Sequence, residues 1–264
     1  MKLNENIEQL RELISRPSQL QIAVYGKYNH GKSSLLNALV KKDIFKTADI
    51  RETVKIQSYT NKDITWIDTP GLDADVKESD DREANRLLSS SDLLLFVHSV
   101  NEGELDGKEV LFVKEQYKNS KNIVLVLTQI DKTDSLDNLK NIIEKQLIFM
   151  TKPIEIVMLS SKRELHSNPK IREKSNVNIL LEMVEKNKDK MLYKREQEKS
   201  ALKREIQKDI DIKLLKLNQN KRELSKGLSI LKNEFLEDVD NVKECRIAYK
   251  GEAYLPAHTP AYVW

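Results

Sequence analysis

The chain has 264 residues, enough to bury a sizeable core, with 33% charged side chains and a formal net charge of +3 at pH 7. So small an excess makes no demand for nucleic acid, and no DNA partner is expected. The single cysteine, Cys245, excludes an internal disulfide and suits the cytoplasm, and no apolar run is long enough to span a bilayer.

The N-terminus lacks the apolar core of a secretory signal. Residues 1–17 read instead as a short amphipathic helix, with Ile7, Leu10, Leu13 and Ile14 on one face and a stop near Pro17. Residues 19–165 then alternate. QIAVYG, KIQSY, DITWID, DLLLFVHSV, NIVLVLT and IEIVMLS have strand length and apolar content. Between them SSLLNALV, DREANRLLSS, KEVLFVKEQY and LDNLKNIIEKQLIFM carry helical spacing. Continuous apolar runs suit strands covered on both faces, so the region predicts a three-layer, doubly wound α/β domain with a mostly parallel sheet.

From about residue 171 the strands stop. The chain becomes rich in Lys and Glu, with no proline and one glycine, Gly227, as far as Glu244. Apolar residues recur at Leu202, Ile206, Ile210, Leu214, Leu217, Leu224, Leu228, Leu231, Phe235, Val239 and Val242, the mark of a long helix with one apolar stripe. Such a helix cannot bury its stripe alone; it folds back, pairs with the N-terminal helix or pairs with another chain. The polar patch Asn218-Gln219-Asn220-Lys221 marks a candidate bend. The basic stretch MLYKREQEKSALKREIQK reads as a solvated face in preference to a lipid or RNA contact. The tail, with two prolines and several aromatics, fits an ordered or a disordered end equally. The expected division is 1–17, 18–170, 171–245 and 246–264.

The chemistry begins at GKYNHGKSS. Gly26-x-x-x-x-Gly31-Lys32-Ser33 is the pattern of a phosphate-binding loop, and it lies between a predicted strand and a predicted helix. Glycines let backbone N–H groups wrap a phosphate chain, and the helix opening near Lys32 adds its positive end. Lys32 is placed to reach the β- and γ-phosphates, and the Ser33 hydroxyl to hold Mg²⁺. Gly26, Asn29, His30, Gly31, Lys32, Ser33 and Ser34 are therefore the candidate phosphate contacts. His30 could donate to phosphate, although a plain surface-loop role is favoured. In WIDTPG, 36 residues beyond Lys32, Asp68 ends a strand and can meet Mg²⁺ through water, while the Gly71 N–H can sense a γ-phosphate. VLTQIDK follows, with Thr128, Gln129 and Asp131, and then MLSSKR, with Ser160, Ser161 and Lys162.

In this order and spacing the motifs resemble those of the translation-factor-like GTPases, in particular the Era, TrmE and dynamin-like branches, over residues 19–190. The resemblance implies GTP and GDP as ligands, Mg²⁺ as cofactor and hydrolysis of GTP. It makes Asp131 the reader of guanine, since one carboxylate accepts from both N1–H and the exocyclic amine, and adenine offers no such pair. Ser161 would present its N–H to guanine O6, with Ser160, Lys162 and Thr128 beside it. Gln129 stands where the family has lysine and predicts weaker binding. Thr53 is favoured over Thr47 as the Mg²⁺-binding switch threonine, which makes Ser33, Thr53 and Asp68 the metal set. Leu72 replaces the water-orienting glutamine of many small GTPases. Asn29 matches the position that holds K⁺ in TrmE-like proteins. Potassium, with Lys32, Asn29 and Thr53 as the catalytic group, is one expectation; an asparagine that merely suits the loop backbone is the other. The implied protein is a cytoplasmic or peripheral membrane GTPase that dimerises, or binds a protein partner, through its head or helices. The alternative is a GTP-dependent binding module with negligible turnover, gripping ribosome, membrane or protein. A structural coiled coil with a degenerate head is argued against by Lys32, Ser33 and Asp68.

Overall fold

The computed structural model describes residues 2–46, 56–69, 87–119, 121–133 and 135–252, with side chains to residue 244. It divides into two compact units, Met1–Lys203 and Arg204–Trp264. In the first, helix α1 (Lys2–Ser15) precedes strand β1 (Leu20–Gly26), helix α2 (Lys32–Val40) and the pair β2 (Gln57–Asn61) and β3 (Ile64–Asp68). Strand β4 (Leu93–Ser99), helix α3 (Gly107–Lys118), strand β5 (Ile123–Thr128), helix α4 (Leu136–Gln146) and strand β6 (Glu155–Met158) follow. Two short helices, α5 (Ser161–Glu164) and α6 (Pro169–Arg172), lead into α7 (Val177–Glu252).

The strands form one six-stranded sheet in the order β2-β3-β1-β4-β5-β6. All neighbours are parallel except β2, which runs antiparallel to β3 along the edge. Every residue of β3 and β4 is buried, as apolar runs covered on both faces require. On one face Ile22, Val24, Leu93 and Leu95 pack with Leu35, Leu36 and Leu39 of α2 and with Val177, Leu180 and Val184 of α7. On the other, Phe96, Leu125 and Leu127 pack with Val113 of α3 and Ile143 of α4. The expected three layers are present.

Helix ends follow local chemistry. Asp106 accepts the Glu109 N–H while the Glu109 carboxylate accepts the Asp106 N–H, a reciprocal cap that starts α3. α4 stops at Gln146, short of the apolar LIFM expected to continue it. At the base of the sheet Arg195 donates to the carbonyls of Pro17, Ser18 and Gln19, and Asp92 accepts the Gln21 N–H. That network anchors the link between α1 and β1. On α1, Leu13 is buried but Ile14 is 57% exposed, so the apolar face is narrower than its sequence spacing implied.

In the second unit α7 is continuous through Asn218–Lys221, where the sequence suggested a bend. Asn, Gln and Lys cost a helix at most about 0.7 kcal/mol each, too little to break it without proline. Leu214, Leu217, Leu224, Leu228, Leu231 and Phe235 are all exposed.

Candidate nucleotide site

Strand order changes direction at β1, which has β3 on one side and β4 on the other. Crevices beyond the carboxyl ends of strands at such a point are where open α/β sheets bind ligands. The loop after β1 lies there. Gly26 sits in register with Val97 of β4, and a Cβ on it would stand 2.1 Å from the Val97 carbonyl oxygen. Only glycine fits. Asn29 has φ 59° and Gly31 has φ 84°, left-handed conformations that Asn and Gly tolerate best. These two reversals turn the chain into α2, whose first residue is Lys32.

Lys32 Nζ lies across this loop, donating to the carbonyls of Gly26 at 3.1 Å and Lys27 at 2.8 Å. Ser33 Oγ donates to Asp68 Oδ2 at 2.7 Å, joining α2 to the end of β3. Asp68 is 2% exposed, and its Oδ1 is buried with no hydrogen bond from any described residue. Burial pushes this carboxyl above its usual range, against the Ser33 hydrogen bond and the Lys32 charge. A buried carboxylate oxygen without a donor, beside a hydroxyl, is a donor set that suits a hard divalent cation. Ser33 and Asp68 therefore fit Mg²⁺. Ser34 follows in the first turn of α2.

The fourth and fifth motifs converge on the same loop. Thr128 Oγ1 donates to the His30 carbonyl at 2.6 Å. Gln129 Nε2 donates to the Asn29 carbonyl at 3.2 Å, and its Oε1 accepts from Asn101 at 2.6 Å and Lys132 at 2.7 Å. Glutamine thus ties the base-side turn to the phosphate loop. Asp131 Oδ1 accepts from Ser160 Oγ at 2.5 Å. Burial opposes the charged form of Asp131, but the Ser160 hydroxyl, its own backbone amide and the Arg163 and Lys162 charges hold the carboxyl below its ordinary value. Ser160 also caps α5 by accepting the Arg163 N–H, and Ser161 is buried behind it. Thr53, its rival Thr47, Gly71 and Leu72 lie outside the described residues.

His30 is a correction: it is 3% exposed and no surface residue. Its Nδ1 faces the Val97 carbonyl at 3.4 Å and Glu109 Oε1 at 3.8 Å, two acceptors that place the proton on Nδ1. Burial, then the nearby His98, lowers its pKa and keeps the ring neutral. His98 stacks edge-on against it, with Nδ1 2.9 Å from Glu109 Oε1 and Nε2 2.9 Å from the Gly103 carbonyl. Burial alone would raise the Glu109 carboxyl, but His98, the Asp106 N–H and Lys27 outweigh it and hold it low. Both His98 nitrogens face oxygen acceptors, and the trio braces the loop from below. Sequence reading missed Glu109, and its one signal was the D-x-x-E spacing before an apolar run.

A lysine-bridged loop opening a helix at the switch point of a parallel sheet is the fold of a P-loop nucleoside triphosphatase. The model of the 50S ribosome-binding GTPase family matches residues 21–160, more than half of the chain, which belongs to that family. An uncharacterized protein of Acinetobacter baylyi is 48% identical over 115 residues, 42% of this chain and 27% of that one. GTPase Era of Mycoplasmopsis agalactiae is 32% identical over 126 residues, 45% of this chain and 43% of that one. The chain thus spans less than half the length of these relatives. A solved structure of an oligomerised bacterial dynamin pair, described as sensing and tethering membranes, aligns at a TM-score of 0.53 and 18% identity over 95% of this chain and 50% of that one. At that identity the likeness concerns the fold.

Proposed function

We propose that the chain binds GTP with Mg²⁺ and hydrolyses it to GDP and phosphate, using the nucleotide state to control its helical portion. The observation that carries this reading is the Ser33–Asp68 pair with its donorless carboxylate oxygen, set beside the Lys32 ammonium. Bound there, Mg²⁺ supplies positive charge against the β- and γ-phosphates. The residues of the chain do the rest. Amides of the loop and the end of α2 receive phosphate oxygens, Lys32 turns from the loop carbonyls toward them, and Thr128 and Gln129 hold the loop's shape. Thr53 and Gly71 are assigned to γ-phosphate sensing. Ser160 fixes the Asp131 carboxylate to accept two guanine hydrogens, and Ser161 and Lys162 border the base.

Asp131→Asn tests the base assignment. Replacing an acceptor with an amide donor should weaken GTP at least roughly 100-fold and favour XTP, whose base has a carbonyl where guanine has an amine. Fluorescent-nucleotide titration reads both. Unchanged GTP affinity, or ATP bound as tightly as GTP by the native chain, removes the assignment.

Asn29 is exposed at the lip of the loop, where its side chain is free to face a monovalent ion. The expected result is faster phosphate release in K⁺ than in Na⁺, with the difference lost in Asn29→Ala. Equal rates in both salts would discard the potassium role.

A second reading keeps GTP binding but not turnover. It is favoured by Leu72, which has no group to orient water. Slow phosphate release with tight GTP binding would select it. Action as a dynamin-like mechanoenzyme on a membrane rests on the fold likeness and on the length of α7.

A further inference from the structure

The exposed stripe of α7 follows a seven-residue repeat with one charged exception at each core position. Leu214, Leu228, Phe235 and Val242 fall on one core position, and Ile210, Leu217, Leu224 and Leu231 on the other. All eight side chains are exposed, from 37% at Ile210 to 70% at Leu224. The repeat is broken once at each position, by Lys221 on the first and Asp238 on the second. Those two exceptions specify a partner.

We infer that residues 210–249 of α7 pair with the same segment of a second copy of this chain, antiparallel, about a twofold axis between residues 229 and 230. Antiparallel coiled coils bring the first core position of one helix against the second of its partner. Centred there, Leu228 meets the partner's Leu231, Leu224 the partner's Phe235 and Leu217 the partner's Val242. In the same register Lys221 meets the partner's Asp238, twice by symmetry. Both charged exceptions are thereby matched with each other. In a parallel, in-register pair Lys221 would instead face its own copy, and Asp238 likewise. Like charges in the core layers cost stability and select against that arrangement.

The area is sufficient. Each of the eight apolar side chains has roughly 100 Å² to lose, so two helices hide on the order of 1,600 Å², the usual size of a stable interface. Leu215, Ile230 and Leu236 lie beside the seam and widen it. The inference uses no property of the nucleotide site, and it stands or falls separately from GTP hydrolysis.

Sedimentation of the full chain carrying Cys245→Ser tests it. A dimer at micromolar concentration is expected. Lys221→Asp, which sets Asp against Asp twice, should weaken it at least roughly tenfold, and Lys221→Asp with Asp238→Lys should restore it to within about threefold. Oxidation reads direction. Leu217→Cys alone should give no disulfide dimer, because its copy lies about 37 Å away at about 1.5 Å per residue, whereas Leu217→Cys with Val242→Cys should link fully. Circular dichroism confirms that each variant remains helical. A monomeric native chain overturns the inference, and so does a Leu217→Cys dimer, which means parallel pairing. A monomer that floats with anionic vesicles would assign the stripe to lipid.

Discussion

Replacing Lys32 by alanine is expected to lower GTP turnover by roughly 10²- to 10³-fold while leaving the head folded. The size follows from what is removed: a fixed cation aimed at charge that grows on the phosphates, in a site whose other donors are neutral amides. The small structural cost follows from its contacts. The ammonium is half-buried and donates to the carbonyls of Gly26 and Lys27, and water can replace it at both. The core beneath, Leu35, Leu36 and Leu39 against β1, does not involve it. Phosphate release at saturating GTP and a thermal melt separate the two effects. Native turnover in the variant would mean that hydrolysis occurs elsewhere or in a contaminant.

The P-loop was legible because each of its positions answers to one local demand. The glycines answer to backbone space and the flanking apolar runs to a covered sheet, while phosphate and metal are the roles proposed for the lysine and the serine. Asp68 was legible for the same reason, as a carboxylate at a strand end. What the sequence concealed depends on register between distant strands. Pairing of Gly26 with Val97 brings His30 over His98, and α3 then delivers Glu109 to both. The spacing of Asp106 and Glu109 announces a helix start but not that the glutamate turns inward. Thr128 and Gln129 were read as base-side residues by resemblance; their contacts with the carbonyls of His30 and Asn29 exist only because β5 lies beside β4. Ile14 fitted an apolar face by periodicity, yet it stays exposed while its neighbour Leu13 is buried.

That dependence on register makes Gly26→Ala the tightest methyl insertion among the described glycines. The new carbon would stand 2.1 Å from the Val97 carbonyl oxygen, which belongs to backbone and cannot swing aside. Relief requires β1 and β4 to separate at their carboxyl ends or Gly26 to leave its φ of 154°. Either movement carries the loop with it, because Lys32 bonds the Gly26 carbonyl and His30 reaches the Val97 carbonyl. Overpacking and backbone strain together cost about 2–4 kcal/mol, which for a unit of this size lowers the melting temperature by roughly 5–15 °C. Nucleotide affinity should fall with it, unlike in Lys32→Ala, where the fold holds and the chemistry fails. A Gly26→Ala protein that melts with the native one and binds GTP normally would show that β1 and β4 do not approach as closely as this, and the brace from the phosphate loop to Glu109 would lose its basis.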